Sequence, residues 1–356
     1  MSSLNSLKQI SLMNSLGDYS VLLTNYLERY GAMPQEFQEL IRRSVLRQLD
    51  SAMIIEDNGG QFPPLPQTQY SQPLPDVDNL DKLHHLLSKI EQEGFSPHFH
   101  ALISEFGHIM TTLSGSDEQK NEVSEWTGKD YSATFLMTDA GGSALKDWRT
   151  VYNADTGMLT VDKIWGIGAD TLDFATIVAS QAGSMIPLAF QIPPDACRHL
   201  HCEKVGLPYL DGEVQLGNCS GEIAVKPEWI MRKGGILAVK QFLSIIRPFF
   251  VQALMAHVNW LEHQGRLIQS AKQKNANQFL SQLSQNIHNE WSITRYSEDE
   301  VMALKFASNT LLLDLVETGA VHQMLDQRDL LAFTKMEGSS YRCFLEVYAR
   351  SGNRKC

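Results

Sequence analysis

Apolar positions recur at helical spacing early in the chain, alternate in the middle, and return to helical spacing towards the end. Leu22, Leu23, Tyr26, Leu27 and Tyr30 predict a first helix, with Gly31 placed to stop it. Pro34 opens a second helix that presents Phe37, Leu40, Ile41, Val45 and Leu49 on one face. Residues 57–79 break the pattern with Gly59, Gly60, Pro63, Pro64, Pro66, Pro73 and Pro75, which predicts a loop or an extended crossing. Leu80, Leu83, Leu87 and Ile90 restart a helix.

Near residue 131 the period becomes that of a strand. Tyr131 to Thr138 is short and rich in β-formers. Trp148 to Ala154 and Met158 to Ile167 flank Asp155-Thr156-Gly157, a hairpin signal with glycine at the left-handed position. Leu172 to Ala179 is a further strand, as is Met185 to Ile192, ended by Pro193-Pro194. After Gly234-Gly235 the helical period resumes: Leu243, Ile246, Phe250, Leu254, His257 and Leu261 mark one buried stripe. Ser297 with Glu300 forms a capping box for a helix carrying Leu304, Ala307, Leu311 and Leu315, which Gly319 can close. The expected class is α+β and multidomain, with a helical domain over 1–130, a β domain over 131–232 and a helical bundle over 233–356. There is no internal repeat and no βαβ alternation, which argues against a Rossmann fold.

Composition narrows the function. The chain has 356 residues, 43% hydrophobic and 20% charged, enough to bury a large core. Lys and Arg number 30 against 41 Asp and Glu, a net charge of -11 with no basic run, so a nucleic-acid partner is not expected. No uncharged apolar stretch reaches ~18 residues, so no membrane span is expected. The polar start, Met1 to Gly17, lacks the pattern of a signal peptide, and five scattered cysteines suit a reducing, cytoplasmic setting.

Two local motifs carry little. Cys197-Arg198-His199-Leu200-His201-Cys202 packs four possible zinc ligands into six residues, but no second ligand pair exists, so no metal site is expected. Gly217-Asn218-Cys219-Ser220-Gly221 matches a nucleophile elbow only loosely and lacks its α/β context. Thr138-Asp139-Ala140-Gly141-Gly142-Ser143 is more informative. It ends a strand in a Gly-rich turn whose backbone N–H groups can cradle an anion or the polar edge of a cofactor.

The surroundings of that turn resemble the acyl-CoA dehydrogenase family. Gly115-Ser116-Asp117-Glu118-Gln119-Lys120 is similar to the family's G-[ST]-x-E-Q-K helix. Phe135-Leu136-Met137-Thr138 with the turn is similar to a strand ending T-E-P-G-x-G-S-D, and Asp162-Lys163-Ile164-Trp165 to a hairpin ending G-x-K-x-W-I. Lys204-Val205-Gly206-Leu207 is like the E-K-x-G segment, so the resemblance covers roughly residues 100–260.

The resemblance implies FAD between the β domain and the bundle, an acyl-CoA or acyl-carrier-protein substrate, and α,β-dehydrogenation of the thioester. Glu337, in Lys335-Met336-Glu337-Gly338-Ser339, takes the place of the family's catalytic base. Arg247, followed by Pro248, takes that of an arginine close to the base. Phe135, Met137, Thr138, Gly142, Ser143 and Ser339 fall at flavin-contact positions, and Trp165 where an aromatic residue shields the isoalloxazine. Electrons would pass to electron-transfer flavoprotein or oxygen, and the bundles would pair into a homodimer or a dimer of dimers.

The sequence departs from the family at Asp139-Ala140, Ala144 and Ile167. Lys272 and Lys274 lie near the expected place of an arginine that reaches a neighbouring subunit's FAD, and Gly319 alone stands for a Gly-Gly turn. The rival reading is a non-catalytic or weakly flavin-binding relative acting as a binding or assembly module.

Overall fold

The computed structural model describes residues 27–28, 31–45, 79–142, 145–184, 186–231, 235–290 and 298–336. The chain divides into two compact units, one of residues Pro73–Ile246 and one joining Met1–Gln72 to Arg247–Cys356. The helices before the sheet are α1 (35–45), α2 (Asn79–Glu93), α3 (Phe99–Ser114) and α4 (Asp117–Thr127). The strands are β1 (Ala133–Leu136), β2 (Val151–Asn153), β3 (Met158–Ile167), β4 (Phe174–Gln181), β5 (Leu188–Ile192), β6 (His201–Tyr209), β7 (Val214–Ala224) and β8 (Ile230–Met231). Four helices follow: α5 (Ile236–His263), α6 (Ala271–Glu290), α7 (Glu298–Glu317) and α8 (Met324–Phe333). The order of helices, sheet and helices is the one expected from the sequence.

In the Pro73–Ile246 unit the strands form an eight-stranded sheet in the order β6-β7-β3-β2-β4-β5-β8, with β1 paired to β4. The β2–β3 hairpin forms as expected, with Gly157 at φ +67°. Side chains alternate across the sheet, so Leu159 and Val161 of β3, Ala175, Ile177 and Ala179 of β4, and Phe190 and Ile192 of β5 share one core. The other face of β1 and β4 is also covered: Ala133 and Phe174 pack with Val123, Trp126 and Tyr131. Cover on both faces leaves every residue of β4 from Phe174 to Ser180 buried. Helix α3 comes close to β1, since a Cβ on Gly107 would lie 2.7 Å from that of Ala133. Helix α4 begins with a complete capping box. Ser116 Oγ accepts from Gln119 N (3.3 Å), Gln119 Oε1 accepts from Ser116 N (2.8 Å), and Gln119 Nε2 donates to Glu228 O (2.8 Å).

In the other unit, Leu304, Ala307, Leu311 and Leu315 of α7 are wholly buried, and Gly319 at φ +72° ends the helix. Helix α1 meets α6 through Phe37 and Phe279, and Thr310 Oγ1 of α7 donates to Ser44 Oγ at 3.1 Å.

Helix α5 differs from the expected single stripe. Phe242, Ile245, Phe249, Val251, Ala253, Met255 and Val258 are buried as well as Ile246, Phe250 and Leu254. Its Ala238–His263 stretch is long and apolar enough to cross a membrane, with 89% of the relevant window buried in protein. Burial on nearly every side accounts for that composition. Leu22, Leu23, Tyr26, Tyr30 and Leu49, the Pro-rich segment up to residue 78, and Ser297 lie outside the described residues.

Candidate functional site

The candidate site is built where the chain leaving β1 meets β3. An isolated antiparallel bridge joins Asp139 to Lys163. Beside it, Ala140 N donates to Asp162 O and Ile164 N donates to Thr138 O, each at 3.0 Å. These bonds set Met137–Ala140 along Asp162–Ile164, so Thr138 lies next to the residue before Trp165. The β3–β7 register shifts between Lys163 and Gly166, and within that irregularity Trp165 takes φ +58°. Its N–H donates to Asn218 Oδ1 at 3.3 Å. A bulky residue at positive φ is an outlier held at a cost. The ring is not packed into the core, because Trp165 is 58% exposed.

The turn has its own construction. Asp139 is buried, and its carboxylate accepts the N–H groups of Gly141 (2.8 Å), Arg149 (2.8 Å) and Thr150 (3.0 Å). Burial pushes the Asp139 pKa up, but the N–H groups of Arg149, Gly141 and Thr150 outweigh it and hold the carboxyl below the usual carboxylate range. Gly141 is needed for space, since a Cβ there would lie 1.8 Å from Asp147 O. Gly142 is different: at φ +110° it faces open space, with nothing within 4 Å of where a Cβ would be. Lys163 Nζ completes the support by donating to Met137 O (3.1 Å) and Asp139 Oδ2 (3.4 Å), and it sits 4.6 Å from the centre of the Trp148 ring. Burial lowers the Lys163 pKa to about 8, partly countered by Asp139.

The structure therefore brings Met137, Thr138, Gly142 and Trp165 together around one loop. Phe135 lies in the adjoining strand, half-buried, with its ring 4.6 Å from that of Phe242. Arg247 belongs to the other unit, where it is buried and Nη1 donates to Met302 Sδ at 3.1 Å. Ser143, Glu337 and Ser339 lie outside the described residues. The backbone leading towards Glu337 is anchored. Buried Lys305 donates to Phe333 O at 3.1 Å and to Asn309 Oδ1, and Asn309 Nδ2 donates to Thr334 O at 3.1 Å. Lys274, near the expected place of the bundle arginine, instead pairs with Glu262 at 3.2 Å.

Lys163, Asp139 and Lys305 were missed as supporting residues. For Lys163 a signal existed: it continues the inward positions of Leu159 and Val161, where a lysine needs a buried partner. A separate cavity of about 280 Å³, lined by His100, Ile167, Asp170, Lys204 and Gln215 among others, contains none of the predicted site residues. Among the described residues no cluster of ligands suits a metal ion.

The chain matches no sequence-family model and no curated protein sequence. Solved structures do match. A glutaryl-CoA dehydrogenase from Mycobacterium smegmatis in complex with FADH2 is 12% identical, with 95% of each chain covered and a TM-score of 0.61. A glutaryl-coenzyme A dehydrogenase in complex with glutaryl-CoA is 14% identical, with 95% of each chain covered and a TM-score of 0.60. The prolyl acyl carrier protein oxidase AnaB is 13% identical, covering 95% of this chain and 99% of its own, with a TM-score of 0.59. Identities this low establish a likeness of fold, and the fold of this chain is that of the acyl-CoA dehydrogenases.

Proposed function

We propose that this chain is an FAD-dependent oxidoreductase that forms an α,β double bond in an acyl thioester carried by CoA or an acyl carrier protein. The observation that carries this reading is Trp165, exposed and held at positive φ beside Thr138 and the open turn at Gly142. An exposed aromatic ring next to an exposed hydroxyl suits the flat edge of a flavin, while the N–H groups of Ala140, Gly141 and Gly142 are taken up inside the turn and are not the ones that would cradle it. The residues fit FAD on that ground: Thr138 offers a hydroxyl, Gly142 leaves open space for a ligand, Trp165 covers a ring face, and Phe135, Met137, Ser143 and Ser339 complete the set. FAD, when bound, supplies the acceptor for the hydride that leaves the substrate β-carbon.

Glu337 is assigned the base. Its carboxylate takes the α-proton, which the thioester carbonyl has made acidic, and a dry apolar setting strengthens a carboxylate for that task. Lys305 and Asn309 fix the backbone carbonyls of Phe333 and Thr334, three to four residues before Glu337. Arg247 is assigned a place close to the base. Both carrier types have support among the neighbours, one being a complex with glutaryl-CoA and another a prolyl acyl carrier protein oxidase. The proposal includes the three-part division at about residues 130 and 232, a cytoplasmic homodimer or dimer of dimers joined mainly through residues ~240–345, and electron-transfer flavoprotein or oxygen as acceptor.

Anaerobic mixing of the FAD-loaded chain with a panel of acyl thioesters tests this reading. A true substrate bleaches the flavin, and Glu337→Gln slows the bleaching by roughly 10²–10⁴-fold while substrate still binds. A second reading, a binding or assembly module, draws on the Lys274–Glu262 pair and on Ile167, which places an apolar side chain where the family has a hydroxyl. No bleaching by any thioester, on a chain that fails to hold flavin, favours the module.

A further inference from the structure

Cys202 and Cys219 are directly opposed on neighbouring antiparallel strands, β6 and β7. Side chains opposed in this way project from the same face. Both are free thiols: Cys219 is buried in the sheet core, and Cys202 is half-buried against the same core. Opposed residues of an antiparallel pair lie about 4.5–5.5 Å apart at Cα, within the roughly 4.4–6.8 Å that a disulfide bridges. Strand β6 stands at one end of the sheet order, and Cys202 on it is the more exposed of the two thiols. Cys197 is also buried, with its S–H directed to Ile192 O at 3.5 Å.

We propose that Cys202 and Cys219 form a redox-active dithiol, with Cys202 the thiol that attacks the oxidant first and Cys219 the thiol that closes the bridge. The reading is independent of the flavin site. The two thiols are chemically unequal. The neighbouring Cys219 thiol, whose S–H is directed to Ala169 O at 3.8 Å, lowers the Cys202 pKa against burial and the Asp170 carboxylate, while Cys202 and burial push Cys219 up. The Cys202 thiolate is thus the better nucleophile near neutral pH. It attacks a low-molecular-weight disulfide, such as glutathione disulfide, and forms a mixed disulfide as one small thiolate leaves and takes up a proton. Cys219 then attacks Cys202 Sγ, and its proton passes to the departing small thiolate. The Cys202–Cys219 bond forms, and the second small thiol departs. The protein loses two hydrogens with two electrons, and the small disulfide is reduced to two thiols.

A bridge with one partly exposed thiol is more readily reduced than a sealed one, which suits a reversible modification better than a permanent staple. Cys219 also lies opposite Lys163 of β3, and its neighbour Asn218 holds the Trp165 N–H, so the bridge would form in the strand row beside the candidate site.

The test incubates the whole chain with excess glutathione disulfide, then alkylates remaining thiols under denaturing conditions and maps non-reduced peptides. The expected product is a peptide linking Cys202 to Cys219, with Cys197 alkylated. Full alkylation of both thiols, a mixed disulfide at Cys202 that never resolves, or a link from Cys202 to Cys197 would each overturn the proposal. In Cys219→Ala the mixed disulfide at Cys202 should persist. Release of glutathione from that variant as fast as from the wild type would also overturn the proposal, and the wild-type mapping decides the matter if the variant does not fold.

Discussion

The Lys163 ammonium lies 3.4 Å from Asp139 Oδ2, with both side chains sealed from solvent. One residue comes from the middle of a strand and the other from a turn, so the pair fixes the turn relative to β3. A buried lysine at this position also makes stability depend on pH in a definite direction. Its pKa is about 8 in the folded chain against an ordinary 10.5, so between those values the unfolded chain binds the proton and the folded chain does not. Stability must therefore rise as pH climbs from about 8 to about 10.5, by at most ~3 kcal/mol, and this contribution is flat below that window. Lys163→Met removes the rise. It also destabilises the chain by ~1–3 kcal/mol near neutral pH, because Met137 O and Asp139 lose their donor. Urea unfolding of both proteins at about pH 8 and pH 10 checks this: the gap should widen with pH, and a constant gap contradicts it.

His257 supplies the acid counterpart. Burial, with the charge of Arg266 adding to it, lowers its pKa to about 3. The ring stacks on Trp260 with centroids 5.7 Å apart and meets Phe333 edge-on. Below about pH 6.5 the unfolded chain takes up a proton that the folded chain refuses. Stability is thus whole above that pH and falls by ~1.4 kcal/mol per unit as the medium becomes more acid. His257→Gln should make the loss between about pH 6 and pH 4 shallower, as read by thermal melting, and parallel curves for the two proteins would show that His257 is not the group responsible.

Trp165 sets stability against binding. At φ +58° the backbone is strained for a large side chain, and a ring 58% exposed recovers little by burial. Trp165→Gly relieves the strain and should stabilise the flavin-free chain by up to ~1 kcal/mol. The same change should weaken FAD binding at least roughly tenfold, the equivalent of ~1.4 kcal/mol of lost contact. Unfolding midpoints and flavin titration on one preparation give both quantities. A variant that loses stability while binding FAD as before would mean that the tryptophan serves the fold.

Much of this architecture is legible because local chemistry and tertiary position agree. Asp155-Thr156-Gly157 turns where a hairpin signal predicts, and Gly115–Lys120 opens α4 where the motif implies a helix. Helix α6 was not legible by periodicity, because its buried side packs amides as well as apolar groups. Gln273 Nε2 donates to Asp314 Oδ2 and Asn277 Nδ2 to Asn259 Oδ1, each at 2.8 Å. Helix α5 showed one apolar stripe where nearly all its sides are covered, since a periodic pattern reports the strongest face and not the number of neighbours. At the candidate site the motif around Thr138 and Trp165 could be read, but the exposure and positive φ of Trp165 could not. Those depend on a register shift between β3 and β7 that no single strand encodes.

The visible absorption spectrum of the purified chain, titrated with FAD after removal of free flavin, tests the central claim most directly. A flavin-binding site at Met137–Gly142 and Trp165 predicts a protein that is yellow as isolated or becomes so on reconstitution, with saturation at one FAD per chain. A protein that stays colourless with excess FAD, while its melting curve shows a folded chain, would contradict it.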